Sequence, residues 1–221
     1  MQYLTERIIA HFMESLDRSV FHKMPFAHWI LSDVLPTQVL DSVIEIPFSP
    51  LPVDFLQGYQ RSAIERRLFF STENRCRYSV CDNIAWAFQS QRLKEGLQNL
   101  TQIDLSESRL RIEYTQDRDG YFLNPHTDTI DPKKFTLVLP LPGEPPMTVL
   151  GTDLYNRAKV YVTTQPKEVN SGLIFIPDFD TWHGFEKKHI DGIRRLLIVN
   201  YVDDGWPHSL DLSFPSMRTS W

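Results

Sequence analysis

Cysteine is nearly missing from this chain, which has two, Cys76 and Cys81, among 221 residues. A disulfide scaffold needs more, so both read as free thiols of a reducing compartment. Long apolar runs are missing too. No stretch approaches the ~18 residues of a membrane span, and Glu6 and Arg7 interrupt the start where a secretory leader needs continuous apolar sequence. The expectation is a soluble, cytoplasmic protein with no membrane partner. There is no basic stripe either: 23 Lys and Arg against 28 Asp and Glu give a net charge of −5. Nothing is placed to neutralise a run of phosphates, so nucleic acid is not an expected partner. Glycine is scarce, nine against fifteen prolines, a balance that excludes a coiled coil and favours many short elements joined by turns.

What is present is apolar and aromatic: 42% hydrophobic residues, with 14 Phe, 5 Trp and 8 Tyr, enough for a core and too much for a disordered chain. The length fits one domain, 1–221. Leu4, Ile8, Ile9, Phe12 and Leu16 recur at helical spacing and predict an amphipathic helix over about 4–18. FAHWILSD predicts a strand, and PTQVLDSVIEI a helix with Pro36 in its first turn. RRLFFST and RYSV predict short strands, and NIAWAFQSQRLKEGLQNL one long helix. Residues 1–108 thus form a helix-rich front.

From Arg109 the texture changes. RLRIEYTQ, KFTLVLPLP, AKVYVTTQ, SGLIFIP and RRLLIVNYV are short β-branched or aromatic runs separated by turn residues, without intervening helices. They predict a sandwich, jelly roll or small barrel over 109–202, followed by an irregular C-terminal flap over 203–221.

Two places concentrate metal-ligand residue types. In NPHTDT, His126 and Asp128 are two apart, so on extended backbone both project from one face and can share an ion. In GLIFIPDFDTWHGF, His183 lies 57 residues after His126, at the mouth of a strand. Two imidazoles and a carboxylate on one triangular face leave the opposite positions of a metal open, as non-haem Fe(II) oxygen chemistry requires. A closed zinc site would want four ligands, preferably thiolates; a catalytic zinc on two His and a carboxylate stays open beside iron, although its usual helical His-Glu-x-x-His is absent.

With these motifs in order, NPHTDT, FTLVLPLP, the Gly151-Thr152 turn, GLIFIPDFDTWHGF and GIRRLLIVNYV, the chain resembles the 2-oxoglutarate and Fe(II)-dependent oxygenases, in their small prolyl-hydroxylase-like branch. The likeness covers about 26–202. It implies an α+β, mostly β fold: a double-stranded β-helix, the cupin-like jelly roll, buttressed by N-terminal helices. It implies His126, Asp128 and His183 as iron ligands, with 2-oxoglutarate and O2 as cosubstrates. It also implies a basic residue for the far carboxylate of 2-oxoglutarate. Arg194 and Arg195 both compete for that role; spacing and Gly192 favour Arg194, whereas aligning Tyr201 favours Arg195. The two point to opposite faces. Asp128 stands where related halogenases carry a small residue, so the resemblance implies hydroxylation, with release of succinate and CO2.

Tyr114 and Tyr121 flank the first motif and are open to two readings, hydrogen bonding to a cosubstrate or packing. Arg75 and Arg77 are open to an anionic substrate or to solvent, and Trp182 to the pocket wall or the core. His11, His22, His28, His189 and His208 lack ligand-spaced partners. Segments 50–80 and 203–221 are candidates for a lid. A short chain without an appended recognition module favours a small-molecule substrate. Two other readings stand beside this one: a cupin-like metalloenzyme that does not use 2-oxoglutarate, and a non-catalytic jelly-roll binding protein.

Overall fold

The computed structural model describes residues 2–48, 67–128, 133–144 and 150–217. Two antiparallel sheets face each other. The larger runs β1 (Val20–His22), β2 (His28–Leu31), β9 (Gly172–Phe175), β6 (Lys133–Glu144), β11 (Ile193–Val202), β4 (Arg109–Asp117), β3 (Arg67–Phe69). The smaller runs β5 (Leu123–His126), β10 (His183–Phe185), β7 (Thr152–Tyr155), β8 (Tyr161–Gln165). This is the jelly roll that the short strands predict, with helices on its outer side.

The central strands of the large sheet, β9, β6, β11 and β4, are buried on both faces, and strand parity decides what each face carries. On β4, Leu110, Ile112 and Tyr114 enter a core with α1 (Gln2–Asp17), α2 (Thr37–Ile44), α4 (Ser79–Gln89) and α5 (Gln91–Thr101); on β11, Leu197, Val199 and Tyr201 do the same. The apolar stripe of α1, Ile8, Ile9, Phe12 and Leu16, is buried there, and Phe12 meets Phe88 edge-on with ring centroids 5.1 Å apart. Each such side chain contributes about 1.5–3 kcal/mol through burial. The opposite face of the sheet packs on the small sheet through Val138, Leu154, Leu173, Phe175 and Leu196.

Three expectations fail locally. RYSV is not a strand: Arg77 ends α3 (Thr72–Arg77), Tyr78 is its cap and α4 starts at Ser79. The long helix is two, because Ser90 leaves helical geometry (φ −64, ψ 143) and its hydroxyl accepts from the Leu93 amide, as an N-cap does. Pro36 is the N-cap of α2 rather than part of its first turn. The described part of the tail forms a 3-10 turn, Ser209–Asp211, and buries Trp206, Leu212 and Phe214; within the proposed lid segments, residues 50–66 and 218–221 lie outside the described residues.

Candidate metal centre

β5 and β10 are adjacent in the small sheet, and His126 and His183 are register partners across them. Their ring centroids stand 4.3 Å apart. Asp128 follows β5 closely enough to turn back on both: its Oδ1 is 3.8 Å from His126 Nε2 and its Oδ2 3.7 Å from His183 Nε2. One ligand atom from each residue lies within 4.8 Å of the others. The close approach of the strands relies on Gly184, where a Cβ would stand 2.6 Å from the Leu123 carbonyl oxygen.

The local hydrogen bonds fix which nitrogen each imidazole presents. His126 Nδ1 is 2.9 Å from the Asn124 carbonyl and His183 Nδ1 is 2.9 Å from the Thr181 carbonyl. A carbonyl can only accept, so both Nδ1 atoms carry the proton and both Nε2 lone pairs face the shared point. Burial, followed by the neighbouring His183, holds His126 down at about 3, and burial also lowers His183, so both rings are neutral at physiological pH. Burial opposes ionisation of Asp128, but the Lys133 ammonium beside it outweighs burial and holds the carboxyl well below its usual range. Lys133 Nζ is 2.9 Å from Asp128 Oδ1. Two neutral, back-anchored imidazoles and an ionised carboxylate are the donor set a divalent transition metal wants, so the residues fit an iron ion.

The three residues open on a cavity between the sheets. Glu113, Thr115 and Asp117 of β4, Arg194, Leu196 and Ile198 of β11, and Thr136 and Val138 of β6 line its large-sheet side. Arg194 lies there, with Nη1 donating to Asp117 Oδ2 at 2.5 Å, Nη2 to the Gly151 carbonyl at 2.9 Å and Nε to the Leu150 carbonyl at 2.5 Å. Its guanidinium sits 4.1 Å from the centroid of Phe185, which stacks on Tyr121. Tyr121 is also on the cavity wall.

The structure does not bring the other two predicted residues to the cavity. Arg195 turns to the opposite face, donating to the Pro142 carbonyl and to Glu144, and Tyr114 is in the helix-side core against Phe48, accepting from Gln116. Tyr201, which supports Arg195 by alignment, donates to the Phe88 carbonyl on that same core face. Arg75 is also elsewhere, paired with Asp82 and lying over Phe214. Trp182 is half-buried under Lys159, whose Nζ is 4.1 Å from the ring centroid, and is not on the cavity wall. The sequence reading misses Lys133, Arg67, Thr115 and Asp117, all on the wall. Their only signal is strand parity relative to a register that sequence does not reveal.

No protein-family model matches the chain, and no curated protein matches it. Solved structures do. A prolyl 4-hydroxylase from Phytophthora capsici superposes with a TM-score of 0.60 at 17% identity, over 93% of this chain and 68% of that one. A prolyl hydroxylase from Trichoplax adhaerens, solved with a hypoxia inducible factor degradation-domain peptide, gives 0.56 at 13% identity, over 92% and 93%. The viral collagen prolyl hydroxylase of Paramecium bursaria Chlorella virus-1, solved with 2-oxoglutarate, gives 0.53 at 14%, over 80% and 96%. At these identities the likeness is one of fold. The chain has the double-stranded β-helix found in prolyl-hydroxylase-like 2-oxoglutarate and Fe(II) oxygenases.

Proposed function

We propose that this protein is an Fe(II)- and 2-oxoglutarate-dependent oxygenase that hydroxylates a small molecule. The observation carrying this reading is that His126, Asp128 and His183 meet at one point of the cavity where Arg194 is the strand-β11 cation. When bound, iron and 2-oxoglutarate would supply the oxygen-activating chemistry, with succinate and CO2 as coproducts. The chain's own residues hold and orient. His126 and His183 offer Nε2, their rings locked by the Asn124 and Thr181 carbonyls. Asp128 supplies the anionic ligand, and Lys133 restrains its rotation by holding Oδ1.

Arg194 suits the far carboxylate of 2-oxoglutarate because a guanidinium stays charged when buried and pairs with carboxylates through two parallel bonds. Its three existing partners hold it against Phe185 before any ligand arrives. Leu196, Ile198 and Val138 present an apolar surface that excludes water around the reacting centre. Tyr121 keeps the Phe185 ring in place under Arg194.

The test is succinate formation by purified protein with Fe(II), 2-oxoglutarate and oxygen. Activity that needs all three and disappears in His126→Ala and His183→Ala is the expected result. Activity indifferent to metal, or a protein that binds neither Fe(II) nor 2-oxoglutarate, overturns the reading.

A further inference from the structure

The cavity contains a second buried arginine. Arg67 of β3 is the register partner of Thr115 on β4, and both line the cavity wall. Directly paired residues on one face bring their Cβ atoms to about 4.5–5.5 Å, so the Arg67 and Thr115 side chains are neighbours. Arg67 Nη1 donates to Glu113. Among the described residues its Nε and the Thr115 hydroxyl have no hydrogen-bond partner, although the Arg67 side chain is only 9% exposed and Thr115 only 6%. A buried donor left unsatisfied costs about 1–3 kcal/mol, so two adjacent ones on a cavity wall mark where an acceptor is missing.

Arg194 differs, because each of its three nitrogens already has a partner. The two arginines flank β4 on opposite sides and are offset by two residues along it, since Asp117 pairs with Arg194 and Thr115 with Arg67. Two residues along a strand is about 6.8 Å, so the two cations serve separate groups. Glu113 sits beside Arg67 and also accepts from Arg111 at 2.8 Å and from Asn200 at 3.3 Å. The nearby carboxylates Glu113, Asp117 and Asp128 oppose a dianion more strongly than a monoanion, which favours a singly charged acceptor.

We propose that Arg67 Nε and Thr115 Oγ1 anchor a carboxylate of the primary substrate, so that the molecule oxidised is a small carboxylic acid. This deepens the oxygenase reading and rests on it, with Arg194 left to the cosubstrate.

The test uses acetate as the probe, with acetamide and inorganic phosphate as controls, on the full chain loaded with Mn(II) and 2-oxoglutarate. Acetate methyl protons should show enhanced paramagnetic relaxation, acetamide and phosphate should compete poorly, and Thr115→Val and Arg67→Met should each weaken acetate, the latter about tenfold or more. Affinity for 2-oxoglutarate should change less than about twofold. Thr115→Val removes only a hydroxyl and keeps the test usable if Arg67→Met unfolds. Unchanged acetate binding in both variants, or phosphate binding above acetate, overturns the proposal, as does loss of 2-oxoglutarate binding in Arg67→Met. If the parent protein takes up neither Mn(II) nor 2-oxoglutarate, the oxygenase reading fails. The carboxylate anchor is then read alone, from the 15N-resolved Arg67 Nε–H resonance: a shift with acetate supports it, and none overturns it.

Discussion

Arg194 and Asp117 are register partners across β11 and β4, and their Nη1 and Oδ2 atoms stand 2.5 Å apart with each side chain 5% exposed. In the proposed function, a cosubstrate carboxylate reaching Arg194 would have to share it with Asp117. Asp117→Asn should therefore tighten 2-oxoglutarate binding while lowering the unfolding temperature of the ligand-free protein, because an unpaired buried guanidinium is costly. Added 2-oxoglutarate should restore much of that loss through mass action. Calorimetric titration and thermal melts check both halves, and weaker binding in Asp117→Asn contradicts the assignment of Arg194.

Strand parity separates the adjacent arginines. Arg194→Met should cost about ten- to a hundredfold in 2-oxoglutarate affinity, the range for a charge-assisted hydrogen bond. Arg195→Met, acting on the opposite face, should leave it within about twofold. A larger effect at Arg195 would assign the cosubstrate to the wrong face.

Gly184 of β10 faces β5 closely, so that a Cβ would stand 2.6 Å from the Leu123 carbonyl and 3.2 Å from Asn124 backbone atoms. Gly184→Ala should push β5 away from β10, destabilise the fold by about 1–3 kcal/mol and weaken Co(II) binding, read from its visible absorption. Intact metal affinity in a folded Gly184→Ala protein would show that the His126–His183 spacing does not depend on this approach.

Glu113 carries an acid-sensitive contribution to stability. Burial opposes its ionisation, but Arg111, Arg67 and Lys133 outweigh it and hold the carboxyl at about 2. A carboxyl depressed in the folded state stabilises fully above its unfolded value and loses that effect as pH falls toward the folded one. The contribution, on the order of 3 kcal/mol, should be present above about pH 4.5 and fade toward pH 2. Urea midpoints of the parent and Glu113→Gln, compared across that window, should converge on acidification; parallel profiles count against it.

The two thiols should react differently. Cys76 is exposed, whereas Cys81 is buried and its thiol is pushed up to about 12 by burial. Ellman's reagent should titrate one thiol in native protein and two after denaturation. Rapid native labelling of both would show that α4 opens readily.

Much of the architecture was legible because the determining signals are local. The 3.6-residue stripe of α1 and the β-branched runs of β4, β6, β9 and β11 announce themselves, and His126-x-Asp128 is a two-residue motif. The small sheet was harder to read. β5, β7 and β10 are three or four residues each, too short for a periodic pattern, and RYSV has strand composition while serving as a helix junction. Ser90 divides the expected long helix through a cap geometry that no periodic pattern announces.

The sequence by itself determined the residue types, their order and the spacing of the two ligand motifs, because those are properties of the covalent chain. Only the tertiary structure decided that His126 and His183 are register partners, that Arg194 rather than Arg195 enters the cavity, that Tyr114 is core while Tyr121 is wall, and that Arg67 and Thr115 stand side by side. The physical reason is the two-residue period of a β-strand: one step of register exchanges the faces of every side chain, and long-range pairing, which no local pattern encodes, sets that register.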